Sequence, residues 1–117
     1  MTKKARGAGC RWCRAPIAER PGPGRPKQFC RAACRQAAYR ARQLAAGHGL
    51  ADGEVVVQQE ALDDLADAQY VLATALEDLE LDLAEARTKA DLERAMADLV
   101  AACGPLATLQ LRPVADR

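Results

Sequence analysis

The chain has 117 residues, half of them apolar but only 3% aromatic, so it can form one or two small domains without a large aromatic core. It contains no serine and one histidine, His48, which excludes the common Ser-His nucleophile sets and predicts a protein that is not an enzyme. The formal charge of +1 hides a division: residues 1–48 carry 12 basic side chains against one acid, and residues 49–117 carry 5 against 15. We therefore expect two regions with different partners.

The sequence lacks the signs of a membrane or secreted protein. No stretch reaches the 18 or so uncharged apolar residues of a membrane span, and the basic residues 1–9 are not followed by the apolar core of a signal peptide. We expect a cytoplasmic location, where cysteines serve as metal ligands more often than as disulfides. Residues 1–9 themselves are predicted to be a disordered basic arm.

Four cysteines in residues 10–46 have the spacing of metal ligands. Cys10 and Cys13 are separated by two residues, Cys30 and Cys34 by three, and 16 residues lie between the two pairs. The first spacing suits a tight turn, and the second places both thiols on one side of a helix, one turn apart. Four thiolates close a tetrahedral structural zinc site, so we predict one structural Zn²⁺ bound by these four cysteines.

The alternative for these cysteines is that they are buried or free thiols, because cysteine often behaves as a small apolar residue. Residues 10–46 contain few sizeable apolar side chains, however, and a segment of that size needs a cross-link to fold. Each of the four cysteines is also followed by an arginine, whose charge stabilises a thiolate. The fifth, Cys103, lies on an apolar stripe and is predicted to be a packed core thiol.

The motif Cys10-Arg-Trp-Cys13, the turn PGPGRPK and the stretch FCRAACRQAAYRAR (residues 29–42) together resemble "FCS"-like treble-clef zinc fingers, in particular small actinobacterial zinc-finger proteins. The resemblance covers residues 10 to about 43. It implies a small zinc-stabilised α+β treble-clef finger over residues 10–46. Its parts would be a knuckle, a β-hairpin across Pro21 to Gly24 and a helix whose first turn bears the second cysteine pair.

Two positions depart from the pattern of that family. Arg14 stands where a glycine commonly follows the knuckle, which implies backbone strain. Arg31 stands where serine is frequent, which adds charge without endangering the site.

The finger helix, expected from Arg31 to Ala46, separates charge from small apolar residues. At 100° per residue, Arg31, Arg35 and Arg42 fall within about 40° of one another, while Ala33, Ala37 and Leu44 gather on another side. Such a surface suits nucleic acid, and DNA is favoured over RNA because no aromatic stacking platform is visible. The alternative is that the arginines only solvate a small domain and balance the thiolates. The predicted nucleic-acid-binding residues are Lys3, Lys4, Arg6, Arg25, Lys27, Arg31, Arg35 and Arg42.

After a linker at residues 47–56, residues 57–104 are predicted to form an acidic, all-α helical hairpin. The first apolar seam is wide, which suits a helical bundle better than a two-stranded coiled coil. A new helix should begin at Thr88-Lys-Ala-Asp91, which resembles a capping box. The seam comprises Leu62, Leu65, Gln69, Leu72, Leu76, Leu79, Leu83 and Ala86.

A second apolar stripe, out of phase with the first, follows that turn. We expect its helix to stop at Gly104-Pro105, which leaves residues 105–117 as a tail. One long helix with a stutter is the alternative to the hairpin. The stripe comprises Leu92, Met96, Leu99, Cys103 and Leu106.

Two functions remain open from the sequence. One is a small DNA-binding regulator of transcription whose zinc finger contacts DNA and whose acidic hairpin forms a homodimer, as a four-helix bundle. The other is an interaction adaptor whose finger contacts an acidic protein, or whose acidic helices bind a partner or mask the basic finger.

Overall fold

The computed structural model describes residues 9–17, 22 and 24–116, which form three helices. These are α1 (Ala32–Gly47), α2 (Gln59–Glu85) and α3 (Lys89–Thr108). The chain divides into two compact units, which we call the cysteine unit (Met1–Gln58 with Arg112–Arg117) and the hairpin unit (Gln59–Leu111). Of the described helices, α1 belongs to the first and α2 and α3 to the second.

A capping box forms the turn between α2 and α3. The Thr88 side chain accepts a hydrogen bond from the backbone N–H of Asp91 at 3.1 Å. The Asp91 carboxylate in turn accepts from the N–H groups of Arg87 at 3.0 Å and Thr88 at 3.2 Å. These bonds satisfy donors that the first turn of a helix leaves without partners. The predicted turn and capping box are therefore present, and the chain does not continue as one long helix.

The side of α2 that packs on α3 is centred on Ala68 and not on the predicted seam. The buried residues of the two helices are Ala68 on α2 and Ala95 on α3, because small side chains at a crossing let the helix axes approach. Gln69, placed on the seam by the sequence, is exposed. Of the seam leucines, Leu65, Leu72 and Leu79 are half-buried, whereas Leu62, Leu76 and Leu83 are exposed.

The predicted end of α3 at Gly104-Pro105 is wrong. The helix includes Pro105 and runs to Thr108. A proline in the last turn disturbs little of the helix that follows, and Leu106 and Leu109 beyond it are half-buried. The Thr108 hydroxyl also donates to the carbonyl of Gly104 at 2.9 Å, which satisfies one carbonyl of the last turn.

The C-terminal residues after α3 are not a free tail. Val114 donates its backbone N–H to the carbonyl of Val56 at 2.7 Å. The Asp116 carboxylate forms an ion pair with Arg40 of α1 at 3.0 Å. The part of this segment from Arg112 onward therefore belongs to the cysteine unit, which the sequence did not predict.

The β part of the expected treble clef is not seen. The described residues contain no strand, and the isolated pairing among them is one antiparallel bridge between Gly9 and Pro16. The hairpin expected across Pro21 to Gly24 lies partly outside the described residues, and residues 25–29 have no regular structure. The described fold is thus helical, with a cysteine cluster in its N-terminal part.

In the part of the chain that the structure describes, none of the helices has both the length and the apolar character needed to cross a membrane.

Candidate metal centre

The first two cysteines lie on a tight knuckle. Cys10 donates its backbone N–H to the carbonyl of Ala15 at 2.8 Å, and its own carbonyl accepts from Arg14 at 2.9 Å. To close this turn Arg14 adopts φ = 65°, in the left-handed region that costs an ordinary residue about 1 kcal/mol. The departure from glycine noted in the sequence therefore falls at a position where the backbone favours glycine.

The knuckle also depends on the glycine in front of it. A Cβ atom added to Gly9 would lie 3.1 Å from the carbonyl oxygen of Arg14. A larger residue at position 9 would therefore require the backbone carbonyl of Arg14 to move by a few tenths of an ångström. The sequence analysis did not single out Gly9, although a glycine directly before the first cysteine of the knuckle is a signal that could have identified it.

Gln28 brings the second pair of cysteines to the knuckle. Its backbone carbonyl accepts from the N–H of Arg11 at 2.9 Å, and its side-chain oxygen lies 3.5 Å from the Arg11 guanidinium. The next contact is at the metal ligands themselves, where the N–H of Cys30 donates to the Cys10 sulfur at 3.3 Å. Sequence reasoning missed Gln28, because a contact through a backbone carbonyl leaves no signature in residue type.

Helix α1 supplies the remaining sulfur. Cys34 lies in its first turn and is buried, as are Ala37, Ala41 and Ala45 on the same side of the helix. The alanines pack this side of α1 into the unit, so the helix cannot rotate without moving Cys34. The predicted helix is confirmed with a shift of one residue, because Arg31 precedes it with extended backbone.

The structure brings the four predicted ligands together. Their sulfur atoms all lie within 4.8 Å of one another. The sulfur of Cys30 is 3.5 Å from that of Cys13 and 3.6 Å from that of Cys34, and none of these cysteines forms a disulfide. A tetrahedron with metal–sulfur bonds of about 2.3 Å has sulfur–sulfur edges of about 3.8 Å. The cluster has the size of a four-thiolate metal site.

The pKa values of the Cys10 and Cys30 thiols shift in opposite directions. Burial raises the pKa of the Cys10 thiol, but hydrogen bonds from backbone N–H groups, those of Cys13 and Cys30 first, outweigh it and lower the pKa to about 6. The hydrogen bond of Cys30 with Cys13, followed by burial, raises the pKa of Cys30 to about 12. Without a cation the sulfurs cannot all be anionic, so some retain protons that a divalent metal would replace.

Arg31 contributes charge to the cluster. Its guanidinium hydrogen-bonds the sulfur of Cys34 and is attracted by the other thiolates, and this raises the pKa of Arg31. The side chain is therefore a neighbour of the sulfurs as well as an exposed cation. This agrees with the expectation that arginines next to the cysteines stabilise thiolates.

The other predicted nucleic-acid-binding residues divide into two groups. Arg25, Lys27, Arg35 and Arg42 are exposed, and none of them forms an ion pair with the acidic residues that the structure describes. Lys3, Lys4 and Arg6 lie outside the described residues.

Cys103 is separate from the metal cluster. It lies on α3 in the hairpin unit and is half-buried, so it is less enclosed than the core thiol predicted from the sequence. Trp12, between the two knuckle ligands, is half-buried as well. His48 is the exposed C-cap residue of α1.

No protein-family model matches this chain, and searches of curated proteins and of solved structures also give no match. The resemblance to treble-clef fingers therefore depends on the cysteine spacing and the short motifs quoted above.

Proposed function

We propose that the protein is a zinc-dependent nucleic-acid-binding protein, with DNA as its partner, that acts as a small transcriptional or accessory regulator and is not an enzyme. The hairpin unit serves for oligomerisation as a homodimer. The observation that carries the proposal is the attachment of an arginine-bearing helix, α1, to a cluster of four sulfurs through Cys34. A metal there would fix the direction in which the arginines point.

Zinc is the proposed metal because the ligands are four cysteines at tetrahedral distances. Tetrahedral sulfur sites hold zinc or iron. The knuckle and the helix with Cys34 in its first turn support a treble-clef finger over residues 10–46. One zinc ion per chain, by elemental analysis of protein purified without chelator, is the expected result. A chain that retains no metal would remove the basis of the proposal.

The basic surface supports nucleic acid as the partner. Arg35 and Arg42 are seven residues apart and therefore lie on nearly the same side of α1, away from the buried Cys34 and alanines. Arg25 and Lys27 add two exposed cations in the same unit. Phosphate contacts made by such side chains release counterions from DNA, and a short basic helix fits the major groove.

Fluorescence anisotropy with labelled duplex DNA, at several salt concentrations, tests this function. Binding by the zinc-loaded protein should weaken steeply with salt, and the Arg35→Ala/Arg42→Ala variant should reduce the slope of log K against log salt by about 2. Arg31 is kept, because its contact with Cys34 would mix metal binding with DNA binding.

The matched control is Arg87→Ala/Arg94→Ala, which removes the same charge from the hairpin unit. Its salt slope should stay that of the unchanged protein. If the salt slope falls equally in the two double variants, DNA binding responds to net charge alone. Absence of DNA binding at low salt by the full zinc-loaded chain would contradict the function directly.

One observation favours the alternative of an interaction adaptor. The hairpin unit has a groove of about 430 Å³ with Asp78, Asp82 and Asp98 along it. Acidic side chains beside a groove suit a basic protein segment. If the hairpin masks the basic finger, the Asp78→Asn/Asp82→Asn variant should bind DNA more tightly than the unchanged protein. Unchanged DNA affinity would argue against masking.

A further inference from the structure

The hairpin unit leaves large apolar side chains exposed on both helices. Met96 and Val100 of α3 are 63% and 70% exposed, and Leu92 is exposed as well. On α2 the exposed leucines of the predicted seam are 40–48% exposed. We call these six residues the apolar face: Leu62, Leu76, Leu83, Leu92, Met96 and Val100.

The six side chains lie on the same side of the hairpin. At 100° per residue, those on α2 are displaced by roughly 60–120° from the buried Ala68, and those on α3 by roughly 60–140° from the buried Ala95. The two displacements have the same rotational sense. In an antiparallel pair, equal displacement from the contact side puts both sets of residues on one side of the pair.

Most carboxylates of α2 lie on the other side, whereas Glu80 of α2 and Glu93 of α3, at roughly 120° and 160° in the apolar sense, lie at the edge of the apolar face. Relative to Ala68 and Ala95, Asp78, Asp82 and Asp98 are displaced in the opposite sense by roughly 40–80°. The same three residues line the groove described above, together with Val71. A smaller groove that also includes Val71 continues this side with Asp64 and Asp67. The hairpin thus has one apolar and one acidic side.

We propose that the apolar face binds the apolar face of a second copy of this chain and so forms a four-helix bundle. This inference names the surface through which the homodimer of the proposed function forms. It rests on the proposed function only in that the hairpin unit forms a homodimer. The separation of charge makes a second copy suitable, because two acidic hairpins can meet through their apolar sides while most of their carboxylates point away from each other.

The size of the face agrees with this occupant. Leu62 and Leu83 are about 30 Å apart along α2, at 1.5 Å per residue. Two adjacent helices are about 20 Å wide, and the α3 residues span only about 12 Å, so roughly 600 Å² is an upper bound for the face. This bound is at the low end of the roughly 600–1,000 Å² that each partner contributes to a standard interface. A two-fold axis is expected, because the same face is used by both copies.

Sedimentation equilibrium of the full zinc-loaded chain tests the proposal. The unchanged protein should have a mass of about 25 kDa, twice the 12.6 kDa of one chain. Leu76→Glu/Met96→Glu places a charge on each helix at the centre of the face, and should raise the dimer dissociation constant by at least about 100-fold. Far-UV circular dichroism should be retained, because both side chains are exposed within one chain. If it is not, Leu92→Gln/Val100→Gln is the milder second variant, with the same expected direction.

The matched control is Tyr70→Glu/Leu81→Glu. These side chains are 72% and 65% exposed but lie outside the apolar face, and Leu81 lines the acidic groove, so the control should remain a dimer. A monomeric unchanged protein at about 100 µM, or a helical face variant that stays dimeric, overturns the proposal. DNA binding is measured separately by anisotropy, so a monomer that binds DNA refutes this interface only. A dimer that ignores DNA refutes the proposed function instead.

Discussion

The two units of this protein are stabilised in different ways. In the cysteine unit the most buried side chains are Cys10 and Cys34, and helix α1 buries small residues only. In the hairpin unit the buried residues are Ala68 and Ala95, while large apolar side chains face outward. Neither unit encloses a large apolar side chain among the described residues. This difference agrees with the proposal that each unit requires something further: a metal in the first and a second copy in the second.

Metal removal should give the largest difference in stability between the two units. A chelator should unfold the cysteine unit and leave the hairpin helical, because structural zinc contributes on the order of 10 kcal/mol to small folds that lack a core. Helix α1 has 16 residues, against 27 in α2 and 20 in α3, so the helical circular dichroism signal should fall by about a quarter. Amide hydrogen exchange should show the loss in α1.

Cys34→Ser should have the same effect without a chelator, since it removes a buried ligand. Cys103→Ser is the control and should keep both the metal content and the helicity of α1, because Cys103 lies in the hairpin unit. A cysteine unit that stays folded after complete metal removal would show that its alanines and hydrogen bonds suffice, and the contrast between the units would be lost.

A larger side chain at the contact between α2 and α3 tests the packing of the hairpin unit. Ala95→Leu should reduce the free energy of unfolding of the hairpin by about 1–3 kcal/mol, because a larger side chain must separate α2 from α3. The metal content should not change. Urea unfolding followed by circular dichroism measures the effect, and Ala97→Leu, at an exposed position of α3, is the control. Equal stability of the two variants would mean that the helices do not approach at Ala95.

The sequence predicted the local features of both units. The cysteine spacing predicted the cluster of four sulfurs, because two thiols at positions i and i+4 share a side of a helix. The sequence Thr88-Lys-Ala-Asp91 gave the turn, because a capping box is formed by the residues that define it. Both signals are short in sequence and require no knowledge of packing.

The errors concern packing between distant residues. The seam was centred on leucine, whereas the contact between α2 and α3 is centred on Ala68 and Ala95, and only the positions of both helices reveal this. The prediction that α3 ends at Pro105 used the general effect of proline, but that effect falls on the turn before the proline and does not require the helix to end there. The ion pair of Arg40 with Asp116 joins residues far apart in the chain, and periodicity carries no such information.

The capping box gives a smaller test, confined to the hairpin unit. Thr88→Ala should reduce the free energy of unfolding by about 1 kcal/mol, because it leaves the N–H of Asp91 without its acceptor. Thermal unfolding of the hairpin should shift down while the metal content is unchanged. Thr108→Ala, at an exposed position outside this cap, should have a smaller effect.

The same box makes the hairpin sensitive to acid. Hydrogen bonds from the backbone of Arg87 and from Thr88 lower the pKa of Asp91. A carboxyl group with a lowered pKa stabilises the folded state above its unfolded pKa of about 4, and this contribution is lost as the pH falls through the lower folded value. Asp91→Asn should therefore reduce the acid dependence of unfolding below about pH 4. An unchanged pH profile would contradict the role of the carboxylate.

The smallest expected effect concerns the knuckle, where the cysteine unit is strained. Arg14→Gly should stabilise the metal-loaded unit by roughly 0.5 kcal/mol, because relief of the positive φ outweighs the greater freedom of glycine in the unfolded chain. Arg14→Ala removes the same charge but keeps the strained backbone, so the difference between the two variants excludes the charge effect and gives the strain relief less the cost of glycine's greater freedom in the unfolded chain. Competition for zinc with a chromogenic chelator should rank glycine above alanine. The reverse order would mean that the turn does not hold position 14 at positive φ once the metal is bound.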